Sequence, residues 1–141
     1  MKVIACVDDR NGMLFNHRRQ SRDQTVTEKI QELCQGKILW MNEYSSSLYG
    51  NMHGVTVQCH ENFPDQAESG DFALMETVDP GNYKERTEEL ILFCWNRIYP
   101  AQLFMTLDLS EWKQTEELEF EGTSHEKITM KKYIPYQNRT E

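Results

Sequence analysis

Residues 90–95 read LILFCW, and every position in this run is apolar. A strand without polar positions is covered on both faces, as the central strands of layered α/β domains are. We therefore place this run in the middle of a sheet. A chain of 141 residues has the size of one ordinary domain. The sequence accordingly predicts a single domain that spans residues 1–141.

The first third of the chain is predicted to alternate between strand, loop and helix. Residues 2–7 (KVIACV) form a short apolar run rich in β-branched side chains, which is typical of a buried strand. Residues 13–23 (MLFNHRRQSRD) have no clean period and are interpreted as a loop. Over residues 22–35 apolar side chains recur at helical spacing, and Ser21 with Gln24 fits a capping box.

The remaining segments predict more strand than helix. Further strands are expected at residues 37–41, 54–60, 71–77 and 102–112, with a short helix within 42–50, a polar loop at 61–71 and a terminal antiparallel hairpin made by 117–121 and 127–136. Early parallel units followed by late antiparallel strands define a mixed α/β fold. We predict a mostly parallel central sheet that is flanked by a few helices and ends in that hairpin.

The net charge and the spacing of the cysteines restrict the expected classes of partner and the expected cellular compartment. The net charge is −8, and residues 61–141 carry seventeen acidic but only eight basic side chains. An acidic surface repels a phosphate backbone, which disfavours nucleic acid as a partner. The cysteines form no CxxC pair, which indicates reduced, buried thiols in a cytoplasmic protein. The apolar run at residues 3–7 is too short for a membrane span.

Several segments, taken in order, resemble dihydrofolate reductase. The matching stretches are VIACVDDRNGMLFN (3–16), ILWMNEYSSSLYG (38–50), LILFCWNRIYP (90–100), QLFMTLDL (102–109) and EGTSHEKITMKKYI (121–134). The resemblance implies the dihydrofolate reductase-like fold. It also places Asp23 where that family carries its catalytic carboxylate, in the first turn of the first helix. Without the resemblance, Asp23 is read as an acid that stabilises a helix N-terminus.

The chain departs from this family at the segments that hold the nicotinamide cofactor. The family's Gly-Gly turn lets backbone N–H groups approach the cofactor diphosphate, but residues 93–97 read Phe-Cys-Trp-Asn-Arg. The family's Met-Gly-Arg-Thr phosphate motif is replaced by residues 41–44, Met-Asn-Glu-Tyr. Trp95 is therefore expected to fill the space that the cofactor needs, and we predict no resident cofactor.

Other candidate binding residues are basic or polar. The densest cationic cluster consists of His17, Arg18, Arg19 and Arg22. These side chains are candidates to bind a phosphate or carboxylate. The alternative is a solvated loop or ion pairs with Asp8, Asp9 and Asp23. Further candidates are Asn42, at the altered phosphate motif, and Trp95, Asn96 and Arg97, at the carboxyl end of a strand. No metal site is predicted, because His53, Cys59, His60 and His125 lack ligand spacing.

Three functions remain open at this stage, and whether the chain is an enzyme is undecided. We favour a domain that has lost NADPH-dependent reduction and binds a small anionic ligand or a protein partner. The alternative is an NADPH-dependent reductase of a pteridine-like substrate, with Asp23 as the proton donor and Arg18, Arg19 or Arg97 gripping phosphate. A further alternative is a metal-free, ribonuclease-like protein that uses His17 with Arg18 or Arg19 as acid, base and phosphate clamp. A homodimer through the terminal hairpin is also left open.

Overall fold

The computed structural model describes residues 1–136, which form ten strands and three short α-helices. The strands are β1 (Lys2–Val7), β2 (Gly12–Phe15), β3 (Arg18–Arg19), β4 (Ile38–Met41), β5 (Thr56–Cys59), β6 (Phe72–Leu74), β7 (Glu89–Cys94), β8 (Leu103–Phe104), β9 (Trp112–Phe120) and β10 (Ile128–Pro135). The helices are α1 (Gln24–Leu33), α2 (Glu43–Tyr49) and α3 (Phe63–Gln66), and 3-10 turns cover Pro80–Arg86 and Leu109–Glu111.

Seven of these strands form the main sheet, in the order β5-β4-β6-β1-β7-β10-β9. The first five are parallel to one another, and β10 pairs antiparallel with both β7 and β9. Strands β2, β3 and β8 form a small separate sheet. The predicted mixed α/β class, with a mostly parallel sheet and a C-terminal antiparallel hairpin, is confirmed.

The all-apolar run lies inside the sheet, as predicted. Strand β7 is paired on both sides, by β1 and by β10. Its side chains alternate between two cores: Leu90 and Leu92 pack on one face, whereas Ile91 and Phe93 pack on the other. Helix α1 covers the second face through Val26 and Ile30. Because successive side chains of a strand point to opposite faces, an unbroken apolar run fills both cores at once.

The predicted start of the first helix is wrong by a few residues. Asp23, not Ser21, is the N-cap of α1, with extended backbone angles of φ −147° and ψ 128°. Its Oδ1 atom accepts hydrogen bonds from the N–H groups of Thr25 and Val26, which have no partner inside the helix. Asp therefore replaces the expected capping box, and the helix begins at Gln24.

Two segments that were interpreted as loops contain regular structure. The stretch 13–23 contributes to the β2–β3 hairpin, in which Asn16 and His17 have positive φ angles of 51° and 61°. Two residues in the left-handed conformation match the twist of a tight hairpin. The backbone of the turn sets this conformation, so the segment shows no hydrophobic periodicity in the sequence. The predicted polar loop at 61–71 contains α3, whose Phe63 is fully buried.

Two other predictions need correction. The stretch 102–112 is not one long strand: only β8 and Trp112, the first residue of β9, are paired, although Met105 and Leu107 are buried and Thr106 and Asp108 are exposed. An extended segment that runs over the core shows the same alternation as a paired strand. Cys59 is exposed, contrary to the expectation of buried thiols. No helix within residues 1–136 is long and apolar enough to cross a membrane.

Candidate functional site

The candidate site lies at the carboxyl ends of the parallel strands. Asp8 follows β1, Asn42 follows β4, Glu76 lies two residues past β6 and Trp95 follows β7. In open α/β sheets this edge carries the ligand crevice, because the turns that leave parallel strands converge there. All four side chains are largely buried.

Asp23 is held as a carboxylate at this edge. It is 4% exposed, and its Oδ2 atom accepts hydrogen bonds from the Ser124 N–H and hydroxyl, both at 2.7 Å. Burial alone would raise the pKa of Asp23, but the hydrogen bonds from Ser124, Val26 and Thr25 outweigh it and hold the pKa below its usual range. Asp23 is therefore an ionised acceptor at neutral pH; its catalytic role stays a prediction.

A hydrogen-bonded chain runs from Asp23 to Tyr99, in the segment that follows β7. The Ser124 Oγ lies 2.6 Å from His125 Nδ1, and His125 Nε2 lies 2.5 Å from the Tyr99 hydroxyl oxygen. Because the Ser124 hydroxyl donates to Asp23, it accepts from the Nδ1–H group, and Nε2 is left to accept from Tyr99. This arrangement uses neutral His125.

Trp95 fills the interior beside this chain. Its side chain is 3% exposed and stacks on the His125 ring, with centroids 4.9 Å apart and an interplanar angle of 24°. The pKa of His125 is lowered by burial and by the charge of Arg97, against the pull of Asp23. Trp95 is therefore a core residue, and its occupation of the cofactor's place stays a prediction.

Arg19 lines the same small cavity as Trp95. Its Nε and Nη2 atoms donate to the two carboxylate oxygens of Glu76 at 2.7 and 2.9 Å. Its guanidinium carbon lies 4.5 Å from the centre of the Tyr44 ring. Glu76 is buried and also accepts a hydrogen bond from the Ser45 hydroxyl at 2.7 Å. The Arg19–Glu76 pair is therefore bidentate, with the carboxylate buried and the Arg19 side chain 19% exposed.

The four residues of the predicted cationic cluster do not act together. Arg19 is engaged with Glu76, whereas His17, Arg18 and Arg22 are exposed. Among residues 1–136, no carboxylate forms an ion pair with Arg18 or Arg22. Only these exposed members are available for a ligand without a rearrangement of the hairpin.

The other predicted binding residues stabilise turns. Asn42 caps α2 by accepting from the Ser45 N–H, and its amide donates to the Thr77 hydroxyl. Asn96 has a positive φ of 61°, and its amide donates to the Lys127 carbonyl and the Thr129 hydroxyl. Arg97 is exposed. Within the described part of the chain, no group of His, Cys, Asp and Glu is arranged to hold a metal ion.

Asp8 organises the loop that covers the site, a role that sequence reasoning missed. Its Oδ1 atom accepts from the N–H groups of Arg10 and Gly12, and its Oδ2 atom accepts from the Gln20 amide and the Tyr99 N–H. These bonds outweigh the effect of burial and hold the pKa of Asp8 below its usual range. Residues 8–12 (DDRNG) indicated a turn, but the sequence did not indicate that Asp8 is the buried aspartate and Asp9 the exposed one.

Residues within the described range 1–136 enclose a small cavity at this edge of the sheet. The cavity beside Trp95 has a volume of about 10 Å³, whereas pockets for small molecules usually measure roughly 300–1,000 Å³. Such a volume is about that of one water molecule. The cavity is lined by Cys6, Met13, Arg19, Gln20, Ser21, Glu76 and Trp95.

Comparisons with known proteins support the fold of this chain, but not its activity or its ligand. Neither family models nor curated protein sequences give a match to this chain. Among solved structures, the chain is similar to a dihydrofolate reductase from Enterococcus faecalis, described as complexed with NADP(H) and RAB-propyl. The TM-score is 0.68 and the identity 9%, and the match covers 96% of each chain. The chain therefore has a dihydrofolate reductase-like fold, and the resemblance seen in the sequence is confirmed at that level.

Proposed function

We propose that this chain is a dihydrofolate reductase-like binding domain that does not perform NADPH-dependent reduction. The observation that carries the proposal is the packing around Trp95, which is 3% exposed and beside which the cavity measures about 10 Å³. In the family that the sequence resembles, this turn approaches the cofactor diphosphate through glycines. In this chain Trp95 stands at that turn, and Arg19 and Glu76 line the same small cavity. In our proposal a dinucleotide therefore needs both the indole and the ion pair to move.

The state of Asp23 supports the same proposal. A proton donor for reduction at neutral pH needs a carboxyl group whose pKa is raised. The pKa of Asp23 is lowered, because Ser124, Val26 and Thr25 donate hydrogen bonds to its carboxylate. The Asp23 carboxylate also caps the N-terminus of α1, so it has a structural role that requires no substrate.

The proposed ligand is a small anion or an acidic segment of a protein partner, bound through the exposed residues His17, Arg18 and Arg22. These side chains stand in an otherwise acidic chain with a net charge of −8. Local positive charge on an acidic protein selects small or flexible anions over long polyanions, which the whole surface repels. We place the protein in the cytoplasm because none of its four cysteines is paired.

Calorimetric titration with NADPH tests the loss of the cofactor. A functional dihydrofolate reductase in the same buffer is the positive control. The expected result is no saturable binding by this chain, because Trp95 and the Arg19–Glu76 pair occupy the crevice. Saturable binding at micromolar NADPH, followed by oxidation of NADPH with dihydrofolate, would overturn the proposal in favour of the reductase.

Titration with pyrophosphate tests the anion site. The double variant Arg18→Ala/Arg22→Ala is expected to lose any heat of binding that the unmodified protein shows. Arg10→Ala is the matched control, since Arg10 is also exposed but lies outside the cluster. Equal loss in the control would reveal only general charge attraction, and absence of binding by the unmodified protein at low salt would reject the anion site.

The reductase remains the second candidate, and one observation favours it. The solved structure with a similar fold is a dihydrofolate reductase described as complexed with NADP(H), and the match covers 96% of this chain. In this reading the hairpin β2–β3 must lift and Arg19 must exchange Glu76 for a phosphate. The NADPH titration separates the two candidates directly.

A further inference from the structure

The Arg19 side chain is held as a ligand would be held. Its guanidinium group forms two parallel hydrogen bonds with Glu76, at 2.7 and 2.9 Å, and stacks near two aromatic rings. The distances from the guanidinium carbon to the ring centres are 4.5 Å for Tyr44 and 5.8 Å for Tyr49. A carboxylate fork combined with aromatic faces is the arrangement that recognises planar cations. We call Glu76, Tyr44 and Tyr49 the cation cage.

The cation cage is supported by contacts that do not involve Arg19. The Ser45 hydroxyl donates to Glu76 at 2.7 Å, and Ser45 itself is 1% exposed. Asn42 accepts from the Ser45 N–H and donates to Thr77, the residue after Glu76. The carboxylate is therefore oriented by the turn after β4 and the segment after β6. These supports are expected to keep the cage assembled when its occupant leaves.

The occupant comes from a short edge element. Arg19 belongs to β3, which has two residues and pairs only with β2 at the edge of the small sheet. Strand β2 packs into the core through Met13 and Leu14 and also pairs with β8, so β3 is the part that can move. Its release breaks the pairing with β2 and the hydrogen bond from the Arg19 N–H to the Tyr44 hydroxyl, whereas the main sheet stays intact. The half-buried Arg19 guanidinium is consequently a replaceable cation.

The position of the cage also points to a ligand. It lies at the carboxyl ends of β4 and β6, beside Trp95 after β7. This is the edge where α/β sheets bind ligands. An ordinary surface ion pair would need neither the two aromatic rings nor the buried hydroxyl that orients the carboxylate.

We propose that the cation cage is a binding site for small molecules bearing a guanidinium group, and that Arg19 is its built-in, displaceable occupant. In the closed state Arg19 blocks the site, and outward movement of β3 makes it available. A planar cation reproduces both hydrogen bonds to Glu76 and the stacking on Tyr44. An ammonium group offers one point charge and loses the fork. The proposal is independent of the anion site formed by the exposed basic residues.

Competition with Arg19 sets the expected affinities. If the closed state is favoured by about tenfold or more, the apparent affinity for an added guanidinium falls by the same factor. Removal of the occupant should therefore strengthen binding by at least that amount. The variant Arg19→Ala vacates the cage and leaves Glu76, Tyr44 and Ser45 in place.

The test is a thermal-shift titration of Arg19→Ala with methylguanidinium. Guanidinium compounds at high concentration denature proteins, so a saturable rise in Tm has the opposite sign to the nonspecific effect. The expected result is a rise with methylguanidinium and none with methylammonium at equal ionic strength. The double variant Arg19→Ala/Glu76→Gln should not respond, and Arg10→Ala should behave as the unmodified protein does.

A second measurement uses the unmodified chain and does not depend on the stability of the variant. In protein labelled with ¹⁵N-arginine, the Arg19 Nε–H resonance is expected to be protected by Glu76 and to shift on titration with methylguanidinium. An unchanged resonance would overturn the proposal, as would an equal Tm response from the double variant. A shift together with a selective Tm rise supports it.

Discussion

The Asp23 carboxylate and the Ser124 hydroxyl are joined by a 2.7 Å hydrogen bond, although the two residues lie 101 positions apart in the sequence. The Ser124 N–H donates to the same oxygen at 2.7 Å. These bonds tie the N-terminus of α1 to the link between β9 and β10. They also extend through His125 to Tyr99, so that one polar chain connects three covering segments of the site.

Substitution of Asp23 should destabilise the protein in a pH-dependent way. Asp23→Asn removes charge-assisted hydrogen bonds, and we expect a loss of about 1–3 kcal/mol in the free energy of unfolding at pH 7. Because the folded pKa lies below the unfolded one, this stabilisation is present above the unfolded pKa and disappears as the pH falls through the folded pKa. Urea unfolding of both proteins at neutral and strongly acidic pH measures the difference.

Asp9→Asn is the control for that experiment, since Asp9 is exposed beside the buried Asp8. It should change the unfolding free energy little at either pH. An Asp23→Asn deficit that is the same at neutral and acidic pH would contradict the assignment of Asp23 as an ionised cap.

His125 should make the protein less stable in mild acid. Burial and Arg97 lower the pKa of His125, so the folded state favours the neutral ring. The contribution of His125 to the free energy of unfolding is fully present above the pKa of the unfolded chain, about 6.5. It is lost as the pH falls through the lower pKa of the folded state. The Tm of the unmodified protein between neutral pH and pH ~5 measures the effect. His53→Gln, at an exposed position, should retain the pH dependence, whereas His125→Gln should reduce it.

Truncation of Trp95 should be among the most damaging single changes. Trp95 is 3% exposed and stacks on His125, so Trp95→Ala leaves a cavity and removes the stack. Large-to-small changes of this kind cost about 3–5 kcal/mol. Chemical denaturation measures the loss, and Ile98→Ala is the control because Ile98 is 55% exposed. A loss below that of the control would mean that Trp95 is not a core residue.

Cysteine labelling should distinguish one thiol from the other three. Cys59 is exposed, whereas burial raises the pKa of Cys34 to about 12 and also raises the pKa values of Cys6 and Cys94. Since the thiolate is the reactive form, a thiol reagent should modify Cys59 rapidly and the other cysteines slowly. Mass spectrometry of partially labelled native protein locates the label. Cys59→Ser should abolish the fast phase, and a fast phase that persists would contradict the burial pattern.

Local pattern in the sequence determined the main elements. The apolar runs of β1 and β7 predicted strands inside a sheet, and the helical spacing of Val26 and Ile30 predicted the face that α1 buries. These features follow from the fixed periods of strands and helices, which hold wherever the chain packs. The order of such elements was also enough to indicate the dihydrofolate reductase-like fold.

Only the tertiary structure decided which polar residues meet. Arg19 was one of four similar cations, and nothing around it indicated that Glu76, 57 positions away, would take it inward. Ser124 and His125 lie in a polar link without any period, so their contacts with Asp23 and Tyr99 left no local signal. Hydrogen bonds and ion pairs depend on how the chain path brings distant atoms together, and that path is set by packing of the whole sheet.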